Sequence, residues 1–185
     1  MNKSLFNSLA KLYMQVGVKP ILLEFQYRMH AAICKFSSTQ FYEGRLKTAK
    51  RTTAAAHLPW PLSAPLTFID IVNGREESRG TSKINNAEAE RAAALCVQLL
   101  QGKGGRAGGG GLTAADIGVI APYKEMVLLL RQKLRGTNID ADTVDAMQGR
   151  EKEVILVCTV RSNDKVRGCW AAESLVLPKH NEAGL

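Results

Sequence analysis

Residues 143–160 read TVDAMQGREKEVILVCTV. A hydroxyl, acids, bases, an amide and a glycine are packed between an incoming β-branched run, residues 139–144, and an almost wholly apolar run, residues 154–160. A purely structural connection needs one turn signal and a few solvated polar residues. Apolar runs of this length without alternation are strands buried on both faces, the usual state of strands in a parallel sheet. A polar loop between two such strands sits where an α/β protein keeps its ligand.

Working outward, residues 117–121 (Ile-Gly-Val-Ile-Ala) read as a further strand, followed by Pro122-Tyr123 and an amphipathic helix through Leu134 that Gly136 ends. Asn85 or Asn86 caps a long helix whose apolar stripe is Ala92, Leu95, Cys96 and Leu99. Upstream, Leu5, Leu9, Leu12 and Val16 fall at helical spacing before Gly17. Residues 21–23 read as a buried strand and 66–71 as the next strand, a second helical segment runs through Ile33 and Phe36, and residues 41–46 make a turn. Residues 47–65 and 75–82 read as loops, and residues 102–111 as a flexible glycine-rich loop. Its Gly-x-Gly-x-x-Ala pattern follows a helix rather than a strand, so it fails as a dinucleotide fingerprint. Gly104 follows Lys103 where a Walker A loop needs Ser or Thr. Strands alternating with helices predict an α/β fold, a mostly parallel sheet with helices on both faces.

The chain has 185 residues, 25 Lys and Arg against 17 Asp and Glu, and a net charge of +8. The resulting pI near 9.5 suits a polyanionic partner, but the basic residues are spread out and charge alone decides nothing. Cys34, Cys96, Cys158 and Cys169 are far apart, with no Cys-x-x-Cys and no His at zinc spacing, so they read as core thiols and no metal site is expected. No secretory h-region and no bilayer-length apolar run are present, so a soluble protein of the cytoplasm or nucleus is expected, neither secreted nor membrane-bound.

The polar clusters follow the expected strands: Gln26-Tyr27-Arg28 after the first, Pro122-Tyr123 after the third, and residues 145–151 after the fourth. All therefore fall at carboxyl strand ends, where open sheets bind ligands. A tyrosine beside an arginine suits a nucleotide, the ring stacking on a base and the guanidinium forking onto phosphate oxygens. Glu151 in a glycine turn suits ribose hydroxyls. Each residue also has a plainer reading. Tyr27 serves as a half-buried packing residue, Arg28 as a surface ion pair, Glu151 as one member of a solvated charge run, and His30 as the start of a helix. Composition and placement leave a nucleotide- or polyanion-binding α/β domain.

Residues 24–45 (EFQYRMHAAICKFSSTQFYEGR), 80–90 (GTSKINNAEAE), 117–123 (IGVIAPY) and 143–160 occur here in an order and spacing that resemble superfamily 1B helicases of the nonsense-mediated-decay type, a group that includes senataxin. The resemblance runs from about Ser4 to Asn163. It implies a P-loop NTPase fold, with residues 1–163 forming the C-terminal, second RecA-like domain of an ATP-dependent 5′–3′ RNA or DNA helicase. It further implies Arg28 as an arginine finger, Tyr27 near the adenine, Gln26 among the ATP-binding residues, Glu151 on the ribose and Gly149 allowing close backbone approach. Tyr123 and Thr143 are implied to face an RNA or DNA single strand. The implied partners are that strand and the N-terminal RecA-like domain, and the implied cofactors are ATP and Mg2+. Departures are Ala121 where the family has Thr, Met126 for Gln and Met147 for Phe. Residues 164–185 match no motif VI, and the sequence holds neither a Walker A loop nor an Asp-Glu magnesium motif. The expectation is therefore a piece of a helicase that neither binds ATP tightly nor hydrolyses it alone. The alternatives are a non-catalytic RNA- or protein-binding module derived from a helicase domain, and an unrelated α/β nucleotide enzyme.

Overall fold

The computed structural model describes residues 5–18, 21–49, 64–102 and 111–162, and the chain divides into two compact units, Met1–Ala56 and His57–Leu185. The glycine-rich segment 103–110 and the tail from residue 163 lie outside the described residues, as do residues 50–63 of the expected first loop.

In the first unit, α1 (Leu5–Gln15) ends at Gly17, whose φ of +80° only glycine adopts without strain. Its expected apolar stripe is present but faces solvent, with Leu5 76% and Leu12 57% exposed. The short strand β1 (Phe25–Gln26) leads into α2 (Ala31–Phe41), and β2 (Lys47–Thr48) returns parallel to β1 in a small βαβ unit. The expected buried strand at 21–23 is not found. Those residues carry no regular structure, and Ile21 is 93% exposed. β-branched composition favours extended backbone, but a strand exists only where a neighbour accepts its ladder bonds, and β1 pairs one turn later. Lys47 and Thr48, expected in a loop, supply that neighbour.

In the second unit, residues 75–82, also expected as a loop, contribute to a hairpin of β3 (Glu77–Arg79) and β4 (Ser82–Ile84), turned at Gly80 with φ +59°. The expected strand at 66–71 is irregular, and Phe68 is largely exposed. Helix α3 (Asn86–Gln101) is capped by Asn85, whose side chain accepts a hydrogen bond from the Glu88 amide at 3.1 Å. The predicted stripe of Ala92, Leu95, Cys96 and Leu99 is buried.

The sheet has the order β6–β5–β7, all parallel, from β5 (Ile117–Ala121), β6 (Asp140–Thr143) and β7 (Val154–Val157). Helix α4 (Lys124–Lys133) follows β5 and packs on β4, β5, β6 and α3. It carries Glu125 in its first turn and Arg131 and Lys133 in its last, the signs that suit the helix dipole. Alternation along β5 sends Ile117, Val119 and Ala121 into the core with Leu99, Met126 and Leu130. The other face at Gly118 is covered by the Met147 side chain, Ile155 and Lys152, rather than by a helix. The α/β class and the parallel sheet are as the sequence implied.

Candidate nucleotide and nucleic-acid site

In the first unit the Gln26 side chain organises the turn after β1. Its Oε1 accepts from the amides of Arg28 (2.9 Å) and Met29 (2.7 Å), while Nε2 donates to the Met29 carbonyl (2.7 Å) and to Thr48 Oγ1 (2.5 Å). Two acceptor and two donor positions are all an amide has. Gln26 is thus consumed in shaping the turn and in tying it to β2. What the turn presents is its neighbours: the Tyr27 ring is 70% exposed and Arg28 is exposed as well. Tyr27 is therefore not the half-buried packing residue that its composition allowed. His30 caps α2, its Nδ1 accepting from the Ala32 amide at 3.2 Å, which places the neutral ring's proton on Nε2.

In the second unit the sheet register separates the predicted residues. Ala121 lies beside Thr143 at the carboxyl ends of β5 and β6, so Tyr123 and Thr143 share that end of the sheet. Residues 144–149 then form consecutive turns that carry the chain back. Thr143 Oγ1 accepts from the Ala146 amide (3.3 Å), and the Thr143 carbonyl accepts from the Met147 amide (3.1 Å). Met147 is buried against Gly118. Because β7 is parallel to β5, with Val154 opposite Ile117, residues 150–153 must reach the amino end before the strand starts. Gly149 and Glu151 therefore do not sit at the carboxyl ends, as their position after β6 suggested. A parallel neighbour forces the connection to cross the sheet, and only the first residues of the loop stay behind.

The amino-end portion is pinned by charge. Arg150 Nη2 donates to Asp140 Oδ2 (2.5 Å), and Lys152 Nζ donates to the same oxygen (3.3 Å) and to the Ala115 carbonyl (2.7 Å). Burial pushes the Asp140 carboxyl up, but the hydrogen bonds and charges of Lys152 and Arg150 outweigh it and hold it below the usual carboxylate range. The basic residues on either side of Glu151 are thus fastened to the sheet, and Glu151 is exposed between them. Gly149 has φ +83° with no atom within 4 Å of an added Cβ, so the turn's left-handed geometry by itself requires glycine there.

At the carboxyl end the structure adds residues that the sequence reading missed. The Glu88 carboxylate, in the first turn of α3, accepts from the amides of Thr159 and Val160, each at 2.7 Å. Val160 is buried with φ +70°, a conformation that costs a β-branched residue roughly 1–3 kcal/mol and persists only where the surroundings enforce it. The Asn85 amide reaches its carbonyl at 3.4 Å, and the Arg161 amide bonds the Thr159 carbonyl at 2.8 Å, closing a three-residue turn. Beyond that turn Arg161 pairs with Glu76 (2.7 Å) and reaches the Tyr123 hydroxyl (3.4 Å), while Lys83 holds the other Glu76 oxygen at 2.9 Å. One sequence signal was present: Asn85-x-x-Glu88 is a capping-box pattern. It points Glu88 back at the helix, not out to β7.

The chain is similar in sequence to known proteins. Residues 1–176 match the AAA domain family. Over 88% of its length the chain is 37% identical to Helicase SEN1 of Saccharomyces cerevisiae. The chain belongs to the superfamily 1B helicases of the senataxin and nonsense-mediated-decay type. Over similar lengths it is 36% identical to the Regulator of nonsense transcripts 1 homolog of Arabidopsis thaliana and 33% identical to the ATP-dependent helicase NAM7 of S. cerevisiae. It spans 7%, 13% and 17% of the lengths of these three relatives, so it corresponds to one domain-sized part of each. None of the helices among the described residues of this helicase domain is long and apolar enough to cross a membrane.

Proposed function

We propose that residues 1–163 act as the second RecA-like half of an ATP-dependent 5′–3′ helicase, with the ribose contact and the nucleic-acid contacts of the second unit kept at opposite ends of its sheet. The observation that carries this reading is the split of the 143–154 stretch. Thr143 stays with Tyr123 at the carboxyl end, and Glu151 is exposed at the amino end between two anchored basic residues.

In this reading ATP is the substrate, and Arg28 stabilises the charge that develops on the transferring phosphoryl group as an arginine finger. Tyr27 offers its exposed ring to the adenine, and Gln26 holds the turn that presents both residues. Glu151 accepts hydrogen bonds from the ribose. Tyr123 and Thr143 face the RNA or DNA strand. Among the described residues there is no group of three or more His, Cys, Asp and Glu side chains placed to hold a metal ion. The reading assigns the phosphate loop and the Mg2+ ligands to the other RecA-like half, which is the second partner beside the nucleic acid.

The test is ATP hydrolysis by this chain joined to a phosphate-loop half. Arg28→Ala should lower turnover by ~10³-fold or more while nucleotide affinity moves only a few-fold. Equal turnover in the variant would remove Arg28 from the mechanism. Oligonucleotide binding that depends on salt and never on nucleotide would favour the non-catalytic binding module instead.

A further inference from the structure

The carboxyl end of β7 carries a strained turn whose restraint comes from a helix 71 residues earlier in the chain. Val160 is β-branched, fully buried and left-handed, and the i to i−2 bond from Arg161 to Thr159 closes the tightest turn the backbone makes. Consecutive amides around a left-handed residue converge on one point and select an anion. Here that anion is the Glu88 carboxylate, one oxygen on each amide, with the Thr159 hydroxyl also near Oε1 at 3.4 Å. The turn redirects the chain so that Arg161 comes to Glu76 and to the Tyr123 hydroxyl instead of continuing along the strand. Glu76 grips Arg161 through Nε, and Arg161 Nη2 makes no hydrogen bond among the described residues. The guanidinium is thus oriented yet retains donors at the sheet end where Tyr123 and Thr143 lie.

We infer that Glu88 is a positioning residue for nucleic-acid binding: its carboxylate holds the Thr159–Val160 turn and thereby aims the Arg161 guanidinium at a backbone phosphate beside Tyr123. This rests on the proposal that the carboxyl end faces the strand. Glu88 itself touches no nucleic acid. It acts only through the two amides, so its removal should look like the loss of one phosphate contact, not like a general loss of fold.

Binding of a fluorescein-labelled oligouridylate to the full chain, read by anisotropy across a salt series, tests this together with amide hydrogen exchange. Glu88→Gln keeps an acceptor for one amide and sets an NH2 against the other. It should weaken binding by about tenfold and reduce the slope of log affinity against log salt by about 0.7, the value for one single-strand phosphate. Arg161→Gln should do the same, and the double variant should be no worse than either single one. Exchange protection should fall at Thr159 and Val160 but hold through α3. A wild-type salt slope in Glu88→Gln, or additive losses in the double variant, would overturn the inference. A purely structural Glu88 would lower the melting temperature and leave the slope alone. If the unsubstituted chain bound no oligouridylate, the nucleic-acid reading would fall and this inference with it. Protection lost at Thr159 and Val160 would then show the clamp to be a structural restraint only.

Discussion

Substituting Gly149 separates two reasons for a glycine in the 143–154 stretch. If the backbone had to approach a nucleotide closely, any Cβ would harm function. If the turn alone demands it, the cost should follow the tolerance of each residue for positive φ. The structure favours the second reason, with φ +83° and nothing within 4 Å of an added Cβ. Gly149→Ala then meets no clash and costs only the left-handed penalty, about 1–2 kcal/mol. The lost flexibility of the unfolded chain offsets some 0.4–1 kcal/mol of this, so a net loss of about 1 kcal/mol is expected. In a chain of this size that lowers the melting temperature by roughly 2–4 °C. Gly149→Asn should recover about half, because asparagine visits this region more readily than alanine. Differential scanning calorimetry on the three proteins measures it. Equal losses for Ala and Asn would refute the conformational account, and ATP affinity lost equally in both, measured with a phosphate-loop half present, would restore close approach as the reason.

Asn85→Ala removes both the α3 cap and the bond to the Val160 carbonyl, and should destabilise by about 2 kcal/mol. Asn85→Ser keeps a capping oxygen and should recover about 1 kcal/mol of that in urea unfolding. A serine variant no better than alanine would mean that the cap contributes little. Burial pushes the Cys96 thiol up to about 11, and burial followed by Glu88 and Cys96 pushes Cys158 up to about 12. At pH 8 their thiolate fractions are then two to three orders of magnitude below that of a free cysteine of pKa ~8.5. Alkylation of both should be correspondingly slow in the native protein and fast in denaturant. Because the folded pKa values are raised, the stability these neutral thiols contribute is fully present below the ordinary thiol pKa. It is lost as pH climbs toward 11–12, so unfolding should ease on the alkaline side. Fast labelling of Cys96 under native conditions would contradict the packing of α3 on the sheet.

The sequence by itself determined the features whose cause lies within a few residues. Residues 117–121 and 154–157 became strands because unbroken apolar runs favour a parallel ladder, but only the first is buried as expected. In β7 Ile155 and Val157 are 42% and 60% exposed, because no element packs over that side of the strand among the described residues. Asn85 and Gly136 set helix ends because a cap or a left-handed stop acts on amides and carbonyls in the next turn. The helicase motifs were legible for a similar reason, as each is a short contiguous string.

The tertiary structure decided what depends on a distant partner. Residues 21–23 and 66–71 have strand composition, yet no described strand pairs with them, and composition cannot supply the pairing. The capping-box pattern named Glu88 but not the amides that donate to it, those of Thr159 and Val160, which lie beyond α4 and the whole sheet in sequence. The 143–154 stretch shows the limit most plainly. Its residues announced a ligand loop, but the parallel register of β7 against β5 decided that Thr143 and Glu151 stand at opposite ends of the sheet, because a strand's direction is set by its neighbour and not by its own side chains.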